Sequence, residues 1–493
     1  MTAAAGPARK PRVDRLDHVQ RIVLRAPKHT KVLHLLLRFR AAGSPARSFL
    51  SALKDRLAYR PSRRDDLPAQ LSLGLSYRGL EALMLPFHVR LVLQKLAPSF
   101  FLGAPVQAAT RVGDTGASAS PHWDAAFQLE ALHAVVSLHH GNDEAAQQVT
   151  TYVRQLAAQY RVDVADPLCG EHIEVAGTGD KPERWVHFGY RDGLSQLRIA
   201  GWSHDPSAEH DKGRVLPISV HGAGEFLLGH PDDAGAVPWA LATQPGPVRE
   251  FFHDASFGVL RQMEQDEPAF RAYVAQQAAT LRDGQGKPMP THAAQQLVQA
   301  KLCGRFPDGH RIDPLTQQPL DGLPTHDFDY ANDRDGRGCP FGAHMRRMNP
   351  RGGDIAHNRR RRPLIRRGTP YGAVWQAGED PGISRGLLGL FFCSSIENQF
   401  EHLLGEWADR VPMGSADTGN AKDPLAAHHE NAAARLDLPG APGNVKAVAG
   451  LAPFVRTRGM AYLFYPTMKG IAQLVTEDNG QGWLDKVDRE RFE

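Results

Sequence analysis

Four times along the chain the hydrophobic and polar positions fall into one arrangement: a short apolar run, an acidic or Ser/Pro start signal, then an amphipathic stretch of helical period. VLHLLLRF (32–39) precedes Ser44-Pro45 and ARSFLSALKDRL, where serine is placed to cap the helix and proline suits its first position. LHAVVSLHH (132–140) leads to Asp143-Glu144 and AAQQVTTYVRQLAAQY, and SFGVLRQ (256–262) leads to DEPAFRAYVAQQAATL. GLLGLFFCSS (386–395) leads to IENQFEHLLGEWADRV. Each unit reads as a strand followed by a helix.

Two further strand candidates, QLSLGLSY (70–77) and MAYLFYP (460–466), fit antiparallel sheets covered by helices. The expected fold class is therefore α+β, with a ferredoxin-like sandwich in each of two halves. A segment rich in Gly, Pro, Asp and His near 200–245 marks the join. The division is a loose basic tail over 1–13, a first half over 14–205 and a second over 206–493. A chain of 493 residues exceeds one ordinary core and has room to bury a large cofactor.

Composition narrows the function classes. Hydrophobic residues at 42% and charged residues at 23% are ordinary for a globular protein. Lysine plus arginine exceed the acidic residues by 58 − 54 = 4, so no general charge argument favours nucleic acid or acidic membranes as partners. The four cysteines form no CxxC pair, which points away from a disulfide framework or zinc ribbon and towards a reducing cytoplasm. Neither an export signal nor a membrane-spanning apolar run is read.

The texture changes over 331–370, which lacks apolar periodicity and carries nine arginines between Arg346 and Arg367. Three readings compete: a solvated charged loop, an anion or propionate site, and a nucleic-acid patch, the last weakened by missing stacking aromatics. Within it, CPFGAHMRRMNPR (339–351) sets His344 before paired arginines, an arrangement suited to a metal porphyrin whose propionates need cations. Earlier, Gly189-Tyr190-Arg191-Asp192-Gly193 places two glycines around an acid, as in backbone turned tightly against something. Taken alone, that pentad is better explained by a bland turn.

Taken in order, these segments resemble dye-decolourising (DyP-type) haem peroxidases, which carry a GxxDG motif, a CPFxAHxRRxNPR-like motif and an R-x-G-x-P-Y-G-like stretch. The last is matched by Arg366 to Gly372, and the register to Pro370 selects Arg366 over Arg367. GEFLLGHP (224–231), HDFDYAND (326–333), GLLGLFFCSSIENQFEHL (386–403) and FVRTRGMAYLFYP (454–466) extend the resemblance over about residues 14–466. Departures from the family pattern fall at Gln20-Arg21-Ile22 and at Asp254-Ala255-Ser256-Phe257, where altered local turns are expected.

The resemblance implies two ferredoxin-like halves enclosing haem b (iron protoporphyrin IX), with His344 as iron ligand. It implies Asp192 as acid/base towards hydrogen peroxide and Arg366 as the cation that assists O–O cleavage. Gly189, Gly193 and Arg347 are expected against the cofactor, and organic donors of dye-like or phenolic type as reductants. Glu397 and Glu401, one helical turn apart, are candidate partners for the second ring nitrogen of His344, with a solvated helix face as the competing reading. A haem-binding carrier and a deferrochelatase-like protein, which removes iron from haem, are the alternatives to peroxidase activity.

Overall fold

The computed structural model describes residues 16–59, 68–177, 182–195, 197–200, 220–322, 324, 328–351, 361–380, 382–409, 422–427, 435–439 and 445–476. The expected tail over 1–13, the join near 206 and part of the arginine-rich loop lie outside them. The first half contributes β1 (Lys31–Phe39), β2 (Ala69–Leu75), β3 (Ala134–His140), β4 (Val162–Val164) and β5 (Leu168–Glu171). A small three-stranded sheet follows, made of β6 (Ile173–Val175), β7 (Glu183–Val186) and β8 (Tyr190–Arg191). β9 (Arg198–Ile199) pairs with β10 (Val220–His221). The second half supplies β11 (Ser256–Gln265), β12 (Ile365–Arg366), β13 (Thr369–Tyr371) and β14 (Gly386–Cys393). After the pair β15 (Arg435–Pro439) and β16 (Val445–Ala449) comes β17 (Val455–Tyr465).

The ten main strands form one antiparallel sheet in the order β12-β14-β11-β17-β2-β3-β1-β4, with β13 on β14 and β5 on β1. The fold class is thus α+β, as the patterning predicts. The two sets of strands meet where Phe464 of β17 pairs with Leu75 of β2, so the sheet is continuous where two separate sheets were expected. Gln20 reinforces this seam: its amide donates to the carbonyls of Leu73 (2.8 Å) and Pro466 (3.0 Å) and its oxygen accepts the Leu73 N–H.

Every residue of β3 is buried, so both faces of the strand are covered and its apolar run shows no alternation. Helix Ser44–Lys54 turns Ala46, Phe49, Leu50 and Leu53 inward at helical spacing. Its cap position is Gly43, and Ser44 opens the helix instead of capping it. Asn142, Asp266 and Ser395 do cap their helices, each side chain accepting a backbone N–H. Phe464 packs against the rings of Phe251, Phe252 and Phe257 of its own half and, across the seam, Phe100, with the Phe251 centroid at 5.3 Å. Truncating so central a ring costs about 3–5 kcal/mol.

Candidate functional site

The segment bearing His344 is held by charge and aromatic surface. The Asp333 carboxylate accepts the N–H groups of Gly338 (2.8 Å) and Cys339 (2.7 Å) and pairs with Arg346 at 3.1 Å. The fully buried Arg346 guanidinium lies between the rings of Tyr330 (4.2 Å) and Phe341 (4.3 Å), so cation–π attraction replaces lost hydration. Arg351 stacks on Phe328 at 4.1 Å. Arg347 is buried and donates to the Trp407 carbonyl. The structure therefore gives three arginines of this motif partners within the protein, Arg347 placing one of its donors on the Trp407 carbonyl. The reading of a wholly solvated loop fails for the same residues.

Helix His344–Met348 starts at the histidine itself. Its Nδ1 lies 2.9 Å from Oδ2 of Asp423, a residue without solvent exposure, whereas the His344 side chain is 32% exposed. The other Asp423 oxygen accepts the N–H groups of Leu425 and Ala426, both at 2.9 Å, and its own N–H donates to Ala408. Burial alone would raise this carboxyl, but His344 and the two backbone donors outweigh it and hold it below the usual range. A carboxylate so fixed keeps the ring proton on Nδ1 and leaves the Nε2 lone pair for a metal.

Neither expected glutamate serves this histidine. Glu397 accepts the Ser99 N–H at 2.7 Å, and Glu401 accepts the hydroxyls of Ser99 and Tyr462, both at 2.9 Å. Both belong to helix Ile396–Ala408, wound in the wider π form, whose other face carries Leu403 and Trp407 against Phe341, Met348 and Leu364.

Asp192 and Gly193 follow the β7–β8 hairpin, in which Val186 pairs with Tyr190. The turn takes positive φ at Phe188 (71°) and Gly189 (75°). A Cβ on Gly189 would approach the Arg271 guanidinium at 3.1 Å, so the turn needs glycine here both for its positive φ and for this close approach. At Gly193 a Cβ would meet nothing within 4 Å. The hairpin is anchored on the second half: the Gln299 amide donates to Phe188 O (3.0 Å), Tyr190 OH to Gln299 O (2.9 Å), and His187 Nε2 to Tyr371 O (2.9 Å). The Asp192 N–H donates to Arg184 O, and its side chain is exposed.

Arg366 is exposed and donates to Ser195 O at 3.2 Å, which brings it to the segment that follows Asp192. The neighbouring Arg367 turns the other way and donates to the carbonyls of Ile22 (2.9 Å) and Val23 (3.3 Å), with burial pushing its guanidinium down to about 9. Adjacent side chains of an extended segment point to opposite faces. Nearby, burial, aided by Arg184 and opposed by Asp192, pushes His172 down to about 4. His172 is thus neutral at pH 7.

The Gln399 amide donates to Pro363 O (2.7 Å), just ahead of Arg366, while the far end of the same helix meets Asp423 through Ala408. One helix therefore braces both sides of the candidate site. The arrangement suits haem: an imidazole with its second nitrogen already occupied by a carboxylate, and open space beside Gly193 with an acid and a cation at hand. A groove of about 760 Å³ between β1, helix Asp143–Gln159 and Tyr371–Ala373 is lined by none of His344, Asp192 or Arg366. The chemistry of the donors locates the site better than the size of that groove.

No protein-family model matches the chain. It is 30% identical over 319 residues to a dye-decolorizing peroxidase of Mycetinis scorodonius, a stretch covering 59% of this chain and 56% of that protein. Identity to a multifunctional dye peroxidase of an Amycolatopsis species is 26% over 482 residues, covering 93% and 96% of the two chains. A solved dye-decolorizing peroxidase in complex with 2,6-dimethoxyphenol shares the fold, with a TM-score of 0.74 at 23% identity, over 94% of this chain and 99% of that one.

Proposed function

The chain belongs to the dye-decolourising peroxidase family, and we propose that it binds haem b through His344 Nε2 and uses hydrogen peroxide to oxidise phenolic or dye-like donors. The observation that carries this reading is the buried Asp423 carboxylate on His344 Nδ1, a charged partner that a merely structural surface histidine does not need. Haem held there by His344 would supply the redox chemistry, the reduction of peroxide and the one-electron oxidation of the donor.

The chain's own residues divide the remaining work. The Asp192 carboxylate takes a proton from one peroxide oxygen and delivers it to the other, so that the departing oxygen leaves as water. Arg366, permanently cationic, offsets the negative charge that grows on that oxygen while the O–O bond breaks. The exposure of both side chains leaves them facing open space, not committed to the core. Arg367 lines the back of the same strand and takes no part. Asp423 keeps His344 basic and oriented throughout. Two phenolic donors then give up one electron and one proton each, and one peroxide is reduced to two waters.

Phenolic donors are favoured because a structure of the same fold holds 2,6-dimethoxyphenol. No helix among the described residues is long and apolar enough to cross a membrane. The four cysteines are free thiols, a state suited to the cytoplasm as the working compartment. The test is to load the protein with haem, add peroxide and 2,6-dimethoxyphenol, and follow both the Soret band and phenol oxidation. Peroxide-dependent turnover that is lost in Asp192→Asn, with haem content unchanged, is expected. Metal-free porphyrin as the product would point to iron removal instead, and retained haem without turnover to a carrier.

A further inference from the structure

Away from the haem site, three histidines converge on one carboxylate. Asp254 Oδ2 lies 2.8 Å from His18 Nε2 and 2.9 Å from His253 Nδ1, and its Oδ1 lies 2.5 Å from His230 Nε2. The ligand atoms of His230, His253 and Asp254 all lie within 4.8 Å of one another. We propose that these three residues bind one divalent late transition ion of the zinc or copper class, with His18 beside them on the same carboxylate.

The backbone is shaped to bring them together. Leu228 N–H donates to Ala255 O and Asp254 N–H to Leu228 O, which sets the His230 turn against the residues carrying His253 and Asp254. Asp254 itself holds φ +66°, a left-handed conformation that Asp and Asn tolerate better than other side chains. Gly229, at φ +85°, leaves the room its neighbour needs: a Cβ there would stand 2.8 Å from the His253 ring. The two imidazoles, centroids 5.0 Å apart, approach the two oxygens of one carboxylate with different ring nitrogens, His230 through Nε2 and His253 through Nδ1.

Composition selects the ion. Mg²⁺ and Ca²⁺ require mostly oxygen ligands, and this cluster has one carboxylate. Imidazole-rich sets suit Zn²⁺, Cu²⁺ or Ni²⁺. The His253 side chain is 44% exposed, which gives an ion a way in from solvent.

The experiment uses tag-free, haem-loaded full chain stripped with a chelator, then equilibrated with ZnCl₂ and assayed for metal by mass spectrometry, with thermal melts alongside. One equivalent of zinc in addition to the haem iron, together with a zinc-dependent rise in Tm, is expected. Asp254→Asn, which keeps the positive φ accessible, should weaken zinc binding about tenfold or more. His230→Ala/His253→Ala should lose the zinc and its effect on Tm, with the Soret band unchanged in both variants. Failure of the parent to take up zinc overturns the proposal, as does unchanged zinc affinity in the double variant. Because the readouts are zinc content and melting, they are independent of peroxidase turnover.

Discussion

Asp423 and His344, 79 residues apart in sequence, are joined by a 2.9 Å contact in which the acid is wholly buried and the imidazole faces open space. That inequality fixes the tautomer: the acid is anchored by Leu425 and Ala426, so the histidine adapts to it.

Asp423→Asn removes the negative charge and keeps the shape. Haem affinity or turnover should fall by about ten- to a hundred-fold, and the haem reduction potential should rise because the ligating imidazole becomes less basic. Haem transfer to an apo-globin acceptor and a potentiometric titration would measure both. Unchanged values in the two assays would remove Asp423 from the account.

Arg366 and Arg367 offer a crossed test. Arg366→Leu should slow the reaction with peroxide roughly a hundred- to a thousand-fold with the fold intact. Arg367→Leu should instead lower stability by about 1–3 kcal/mol, because the Ile22 and Val23 carbonyls lose their donor, while turnover per folded molecule persists. Stopped-flow rates and denaturant titrations of the pair would read this out. A greater kinetic loss in the Arg367 variant would reverse the assignment.

Asp192→Asn should reduce the rate with peroxide by about a hundred- to ten-thousand-fold without loss of haem. With a carboxylate as base, the parent should remain active at pH values where an ordinary histidine, titrating near ~6.5, is already protonated. A rate profile whose acid limb sits in the histidine range and survives Asp192→Asn would identify another base.

His34 governs part of the acid stability. It is buried on β1 with Nδ1 2.7 Å from the Ser137 hydroxyl, and burial pushes its imidazole down to about 4. An unfolded histidine titrates near ~6.5, so between these values the unfolded chain takes up a proton that the folded one refuses. The stability is complete above ~6.5 and declines as pH falls towards 4, by about 3 kcal/mol at most. His34→Leu/Ser137→Ala removes both partners and should flatten that decline in thermal melts between pH 7 and 4. Parallel slopes for parent and variant would contradict it.

The strands were legible because their apolar runs are local: β1, β3, β11, β14 and β17 fall where the patterning places them. The continuity of the sheet was not, since it rests on the Phe464–Leu75 pairing between residues 389 positions apart, and neither segment carries a mark of the other. Asp423 escaped because it lies in KDPLAA, a polar stretch without periodicity. Its one local signal is an aspartate followed by proline, as at the start of a turn. Glu397 and Glu401 drew attention by helical spacing alone, and the face they occupy is decided by Ser99 and Tyr462 from elsewhere in the chain. The Trp407 carbonyl that takes one Arg347 donor lies sixty residues on and leaves no mark beside His344 in the sequence. Arg366 was separable from Arg367 because alternation along an extended strand is written in the sequence.

The most direct measurement of the central claim is the absorption spectrum of the haem-loaded protein mixed with one equivalent of hydrogen peroxide and then with 2,6-dimethoxyphenol. The account predicts a rapid change of the Soret band that the phenol reverses, a response slowed in Asp192→Asn and absent in His344→Ala for want of bound haem. An unchanged Soret band and full response in His344→Ala, or release of metal-free porphyrin in place of phenol oxidation, would contradict it.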